Sequence, residues 1–164
     1  MKFRIEQRIP APLTDVEAAL LDRDFLAASS DLPKLSAPEL LEQRRDGDRA
    51  HQRIRYRFTA QLSSTVTRVV DPDKLTWVDD ASYDLTAHTS HHRILPDNYA
   101  DRLQASYDVA LEALGDSTRR VATGELKVRV PLVGGRVERA IVDGLEEHAA
   151  AEAERLGRWI AGRR

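Results

Sequence analysis

The sequence predicts an α+β fold: a curved antiparallel sheet of about seven strands, two short helices after the first strand, and a long C-terminal helix across the sheet. Three observations lead there. The first segment alternates polar and apolar residues, the middle of the chain is a series of further extended segments separated by turn residues, and the end is a proline-free stretch rich in Ala, Glu, Arg and Leu. A length of 164 residues suits one domain, 1–164, able to bury roughly 70 % of the surface its unfolded chain exposes.

Residues 2–9 place Phe3, Ile5, Gln7 and Ile9 on one face and Lys2, Arg4, Glu6 and Arg8 on the other, the period of a half-buried strand that Pro10 and Pro12 end. Thr14 with Glu17 three residues on reads as a capping box, so a short helix is predicted from about 13 to 22. Asp24 to Ser30 adds a turn or two, and a loop follows to Pro38. Glu39–Arg45 and Arg49–Ala60 flank Asp46-Gly47-Asp48, a hairpin signal, with Ile54, Tyr56 and Phe58 on one face and Arg53, Arg55 and Arg57 on the other. Ser63–Asp71 is read as a helical turn stopped by Pro72. Leu75–Tyr83, His88–Leu95, Arg102–Leu114 and Arg120–Val130 are four more extended segments, bounded by Asp-Pro, Pro-Asp-Asn and Gly-Asp turns. Pro131 stops the last of these, Gly134-Gly135 allows a sharp turn, and a helix of roughly 40 Å runs from Arg136 to about Gly162, long enough to cross the sheet.

Composition narrows the function classes. Charged residues are 32 %, apolar ones 41 %, and 25 basic against 27 acidic residues give a net charge of −2. Without a basic arm, no nucleic-acid partner is expected. No apolar run approaches the length of a transmembrane segment. There is no cysteine, hence no disulfide framework, thiolate nucleophile or Cys-based metal site. The alternating N-terminus lacks the apolar core of a secretory signal, so a cytoplasmic protein is expected.

Three stretches carry a family resemblance: the opening strand followed by Pro10-Ala11-Pro12 and a helix with Asp15-Val16-Glu17; Leu75-Thr76-Trp77 beginning a mid-sheet strand; and Val130-Pro131-Leu132-Val133-Gly134-Gly135-Arg136-Val137-Glu138 leading into the last helix. With the element order, the chain resembles the helix-grip fold of the START-like superfamily, which holds birch-pollen-allergen-like, lipid-transfer and polyketide cyclase proteins. The last stretch is most similar to an uncharacterised bacterial branch. The resemblance implies an elongated apolar cavity between sheet and terminal helix that holds a small hydrophobic ligand. Independently, the middle of the helix stripe is small or polar (Gly144, His148, Ala149, Glu152, Ala153), which leaves either space or a closer backbone approach.

The candidate ligand-binding residues are Tyr56, Phe58, Trp77, Tyr83, Tyr107, His148 and Glu152. The aromatic ones fall at alternate strand positions, where they serve either as core or as the wall of an apolar pocket. His148 and Glu152, four apart on the helix, are spaced to hydrogen-bond; they either move a proton or hold a polar head group, or lie solvated and loosely paired at the edge of the stripe. Gln7, inward among apolar neighbours, needs a ligand atom or an internal partner. His88 and His92 share a strand face about 13 Å apart while His91 points away, so they chelate no metal; His92 faces either a cavity or solvent. Arg53, Arg55 and Arg57 form a basic stripe that is either solvated edge protection or a partner surface. No Gly-x-Ser-x-Gly elbow is present, and no serine has a recognisable catalytic context. The sequence assigns no catalytic residue and calls for no cofactor or metal. The expected function is binding of a small apolar molecule as carrier or sensor. A polyketide cyclase- or dehydratase-like enzyme in the same cavity, or an interaction module with a filled core, are the alternatives.

Overall fold

The computed structural model describes all residues, Met1–Arg164. Seven strands, β1 (Lys2–Ile9), β2 (Glu39–Asp46), β3 (Arg49–Arg57), β4 (Thr76–Asp84), β5 (Thr89–Pro96), β6 (Leu103–Leu114) and β7 (Ser117–Val128), form one antiparallel sheet in the order β1-β7-β6-β5-β4-β3-β2. Helices α1 (Leu13–Leu20) and α2 (Arg23–Ala27) follow β1, the single turn α3 (Ser64–Thr67) and a 3₁₀ turn (Pro72–Lys74) precede β4, and α4 (Gly134–Gly162) closes the chain. The α+β reading, the strand count and the long terminal helix are as the sequence predicts.

Consecutive strands β2 to β7 pair with their chain neighbours, and β1 returns to pair with β7, so the first strand bridges to the end of the meander. Every pairing is antiparallel, so residues opposite one another share a face across the sheet. On the face toward α4, one row runs Gln52, Ala81, His92, Tyr107, Gly124 and Phe3, and the next runs Ile54, Asp79, Ile94, Ala105 and Leu126. The opposite face carries Arg53, Asp80 and Arg93 in register.

Several local expectations are corrected. Thr14 does not cap α1: Pro12 stands at the N-cap with no side-chain cap bond, and Glu17 instead accepts from the His88 ring at 3.1 Å. Pro12 has the extended backbone of an N-cap residue, φ −62° and ψ 149°. Gly134 and Gly135 are the first turn of α4 rather than a separate bend, because the backbone there packs under β7; a Cβ on Gly134 would meet the Val128 carbonyl at 2.4 Å. Pro72 opens a 3₁₀ turn instead of merely ending the segment before it. His88 lies outside β5 with a left-handed backbone (φ 58°), so the shared strand face with His92 does not exist.

The apolar interior is divided. One cluster under the N-terminal half of α4 joins Leu35, Phe58, Val66, Val70, Leu75, Leu126, Val128, Val137, Ile141 and Val142. A second, under its C-terminal half, joins Ile9, Val16, Phe25, Ala153, Leu156 and Ile160 with α1 and α2. At each end the helix comes close because a glycine permits it. A Cβ on Gly144 would meet the Phe58 ring at 2.7 Å, and one on Gly157 would meet the Pro10 ring at 2.5 Å.

Candidate functional site

Between those clusters, the inner face of the sheet and the middle of α4 enclose a cavity of about 220 Å³. Of its 34 lining residues 22 are hydrophobic, which makes most of the wall apolar. The exposed Lys74 and Asn98 belong to the lining, so the space reaches solvent between the β3–β4 and β5–β6 connections.

Six of the seven predicted site residues line this cavity: Tyr56, Trp77, Tyr83, Tyr107, His148 and Glu152. Phe58 does not; its ring is packed against Gly144 inside the first apolar cluster, where helix proximity leaves it no open side. The small stripe on α4 likewise divides. Gly144 and Ala153 serve close approach, while His148, Ala149 and Glu152 border the space.

The anticipated His148–Glu152 pair is replaced by two separate engagements. His148 Nδ1 donates to the Pro33 carbonyl at 3.0 Å, tying α4 to the loop before β2. Glu152 accepts from Arg120 Nη1 at 2.6 Å, and the same guanidinium donates to Gln7 Oε1 at 3.1 Å and to the Ala149 carbonyl at 3.2 Å. Gln7 therefore finds an internal partner. Burial pushes the Glu152 carboxyl up, but Arg120 and the nearby His148 outweigh it and hold the group below the ordinary glutamate range. Arg120 stands inward on β7 in phase with Ala122 and Leu126, and that alternation marks it in the sequence.

A second polar group lies on the opposite wall. Asp79 Oδ1 accepts from His92 Nδ1 at 2.9 Å, Asp79 Oδ2 accepts from the Tyr107 hydroxyl at 2.6 Å, and His92 Nε2 stands 2.8 Å from Ser90 Oγ. The His92 ring is stacked on Tyr107, centroids 4.3 Å apart, and meets Tyr83 edge-on at 5.9 Å. Of the two positions left open for His92, cavity or solvent, the structure shows the cavity. Burial first, then the Asp79 charge and its hydrogen bond, push the Tyr107 phenol well up, so Tyr107 stays a neutral donor. Burial also raises Tyr56 and Tyr83, with Glu152 and Asp79 adding to it. Gln52, 1 % exposed, also lines the cavity, and its Oε1 has no hydrogen-bond partner.

The sequence reading leaves Asp79, Ser90 and Gln52 out of the site and His92 undecided, yet the signal exists. Asp79 shares the phase of Trp77 and Tyr83, Gln52 that of Ile54 and Tyr56, and Ser90 and His92 that of Ile94. A polar residue in phase with a strand's apolar face marks a polar wall. The basic stripe resolves differently. Arg55 makes two bonds to Asp97 at 3.1 and 3.2 Å, Arg57 reaches Asp73 at 3.5 Å, and Arg53 Nε is buried without a partner.

No helix is long and apolar enough to cross a membrane. No curated protein matches the chain. Among solved structures, it is similar to TTHA0849 from Thermus thermophilus, at TM-score 0.70 and 18 % identity over 99 % of both chains. It is similar to the ZhuI aromatase/cyclase from Streptomyces sp. R1128, at TM-score 0.67 and 16 % identity over 99 % of this chain and 94 % of that one. Norcoclaurine synthase from Thalictrum flavum, in complex with dopamine and hydroxybenzaldehyde, gives TM-score 0.67 at 14 % identity over 100 % and 88 %. At these identities the likenesses show the fold, the predicted helix grip. Residues 4–160 match a family model described as protein of unknown function (DUF2505), and the chain belongs to that family.

Proposed function

We propose that this protein binds a compact hydrophobic molecule under the middle of α4, as a carrier or sensor. The observation that carries the reading is the predominantly apolar cavity, closed at both ends by packed clusters and open at one side. Apolar burial gives about 25 cal/mol per Å² whatever the ligand's identity, and a few polar groups fix its orientation. The volume falls below the roughly 300–1,000 Å³ typical of drug-sized ligand sites, which favours a small ring system or short chain over a long lipid. Two structurally similar proteins, an aromatase/cyclase and a synthase in complex with two aromatic compounds, are consistent with a small-molecule site. The cavity counts against an interaction module with a filled core.

Binding is tested by native mass spectrometry of freshly purified protein and by titration with a compact fluorescent apolar probe. A co-purifying small molecule, or saturable probe binding displaced by an unlabelled apolar competitor, supports the reading; the absence of both removes it. A cyclase- or dehydratase-like enzyme is the second reading, favoured by the Tyr107–Asp79–His92 chain of hydrogen bonds on the cavity wall.

A further inference from the structure

Ser90, His92 and Asp79 come from two adjacent strands, β4 and β5, and meet in one chain of hydrogen bonds on the cavity wall. An ionised carboxylate only accepts, so Asp79 at 2.9 Å fixes the proton of His92 on Nδ1. The Nε2 lone pair then accepts from the Ser90 hydroxyl at 2.8 Å. Stacking on Tyr107 and edge contact with Tyr83 hold the ring, and the Tyr107 hydroxyl occupies the other Asp79 oxygen at 2.6 Å. This is the order of contacts that activates a hydroxyl nucleophile: oxygen, base, and a carboxylate orienting the base.

From this arrangement we propose that Ser90 is an activated nucleophile for acyl transfer from a compact hydrophobic ester, with His92 as general base and Asp79 as its positioning residue. The proposal rests on the cavity admitting an apolar ligand. Ser90 Oγ attacks the ester carbonyl carbon while His92 Nε2 takes the hydroxyl proton. The tetrahedral adduct collapses, the carbon–alkoxy bond breaks, and His92 returns the proton to the leaving alcohol. Water then attacks the Ser90 acyl ester by the same route, releasing the carboxylic acid and restoring the hydroxyl. No electrons are exchanged, and water is the only co-reactant.

Gln52 gives the carbonyl oxygen a partner. It occupies the same cross-strand row as His92 with only Ala81 between them, and its carboxamide is buried with Oε1 unpaired. Buried amides are seldom left without partners. The carboxamide NH₂ group makes no hydrogen bond and, unlike Oε1, is not sealed off, so it is free to donate to an oxyanion in the cavity.

The test uses the intact chain. Wild-type protein is treated with a butyl fluorophosphonate, its intact mass measured and the labelled peptide mapped; hydrolysis of p-nitrophenyl butyrate is followed in parallel. The expected result is one adduct on Ser90, absent in Ser90→Ala, with hydrolysis lost. Asp79→Asn lowers the labelling rate at least about 10²-fold, since loss of the orienting carboxylate costs up to about 10⁴-fold in such arrangements. Circular dichroism and melting temperature check that each variant is folded; where one is not, the peptide map of the wild-type protein decides. No adduct, an adduct elsewhere, or equal rates in folded Asp79→Asn overturns the proposal. Titrating unlabelled wild-type protein with the fluorescent apolar probe separates the two readings. Binding without an adduct overturns the nucleophile and leaves the binding site; absence of binding removes the cavity reading itself.

Discussion

The two ends of α4 and its middle are built on different terms. At the ends, glycines bring the backbone onto the Phe58 and Pro10 rings, and Leu156 and Val137 are at most 1 % exposed. In the middle, His148, Ala149 and Glu152 face a hollow whose polar groups, Gln52 Oε1 apart, are satisfied in pairs and chains rather than excluded. Hydrophobic packing fixes where the helix lies, whereas hydrogen bonding fixes what the gap beneath it presents. The same helix can therefore be rigid and leave room below.

Substitutions can break this contrast. The largest effect is expected from Arg120→Met, which leaves the Glu152 carboxylate enclosed without its cation; removing one partner of a buried pair costs about 3–5 kcal/mol. Equilibrium urea unfolding measures it, and a loss under about 1 kcal/mol would show that the pair is solvated. The pair also has a pH signature. Because the folded Glu152 pKa lies below its ordinary value of 4.5, its contribution is complete above that value and is lost as pH falls through the folded one. Urea midpoints of wild type and Glu152→Gln should converge as the pH is lowered from 6 to 3.

Leu156→Ala, in the packed C-terminal cluster, should cost about 2–5 kcal/mol by the same assay. Gly144→Ala tests the other end. Better helix propensity contributes about 1 kcal/mol in its favour, but the new Cβ strikes a ring that is 2 % exposed and has nowhere to go. Overpacking of about 1–3 kcal/mol outweighs the gain, so a lower melting temperature is expected. The smallest stability change belongs to Ala149→Leu, which points into open space. It should shift stability by less than about 1 kcal/mol while weakening apolar-probe binding at least tenfold. A large destabilisation there, or unchanged binding, would erase the distinction between middle and ends.

The fold was legible because period and punctuation are local. The alternation of residues 2–9, the Asp46-Gly47-Asp48 hairpin and the proline-free terminal helix each specify an element without reference to distant chain. The aromatic cavity lining was legible for the same reason, since Tyr56, Trp77, Tyr83 and Tyr107 announce their faces by alternation. Phe58 could not be separated from them, because only the approach of Gly144, across 86 positions of chain (144 − 58), closes its side of the space. The hydrogen-bond partners were hidden for a related reason. Spacing pairs Glu152 with the nearest histidine along its own helix, but Arg120 reaches it from β7, and a guanidinium outcompetes an imidazole through charge and geometry. Ser90 and His92 look like ordinary strand residues until β4 brings Asp79 beside them.

The seats at Gly144 and Gly157 bear on how any guest would enter or leave. With the ceiling beam bolted at two points, lifting it would expose both greasy plugs at once, a costly route. Traffic would pass instead by the side door between Lys74 and Asn98, where one 3.4 Å hydrogen bond from the Asn98 amide to the Lys74 carbonyl is the latch.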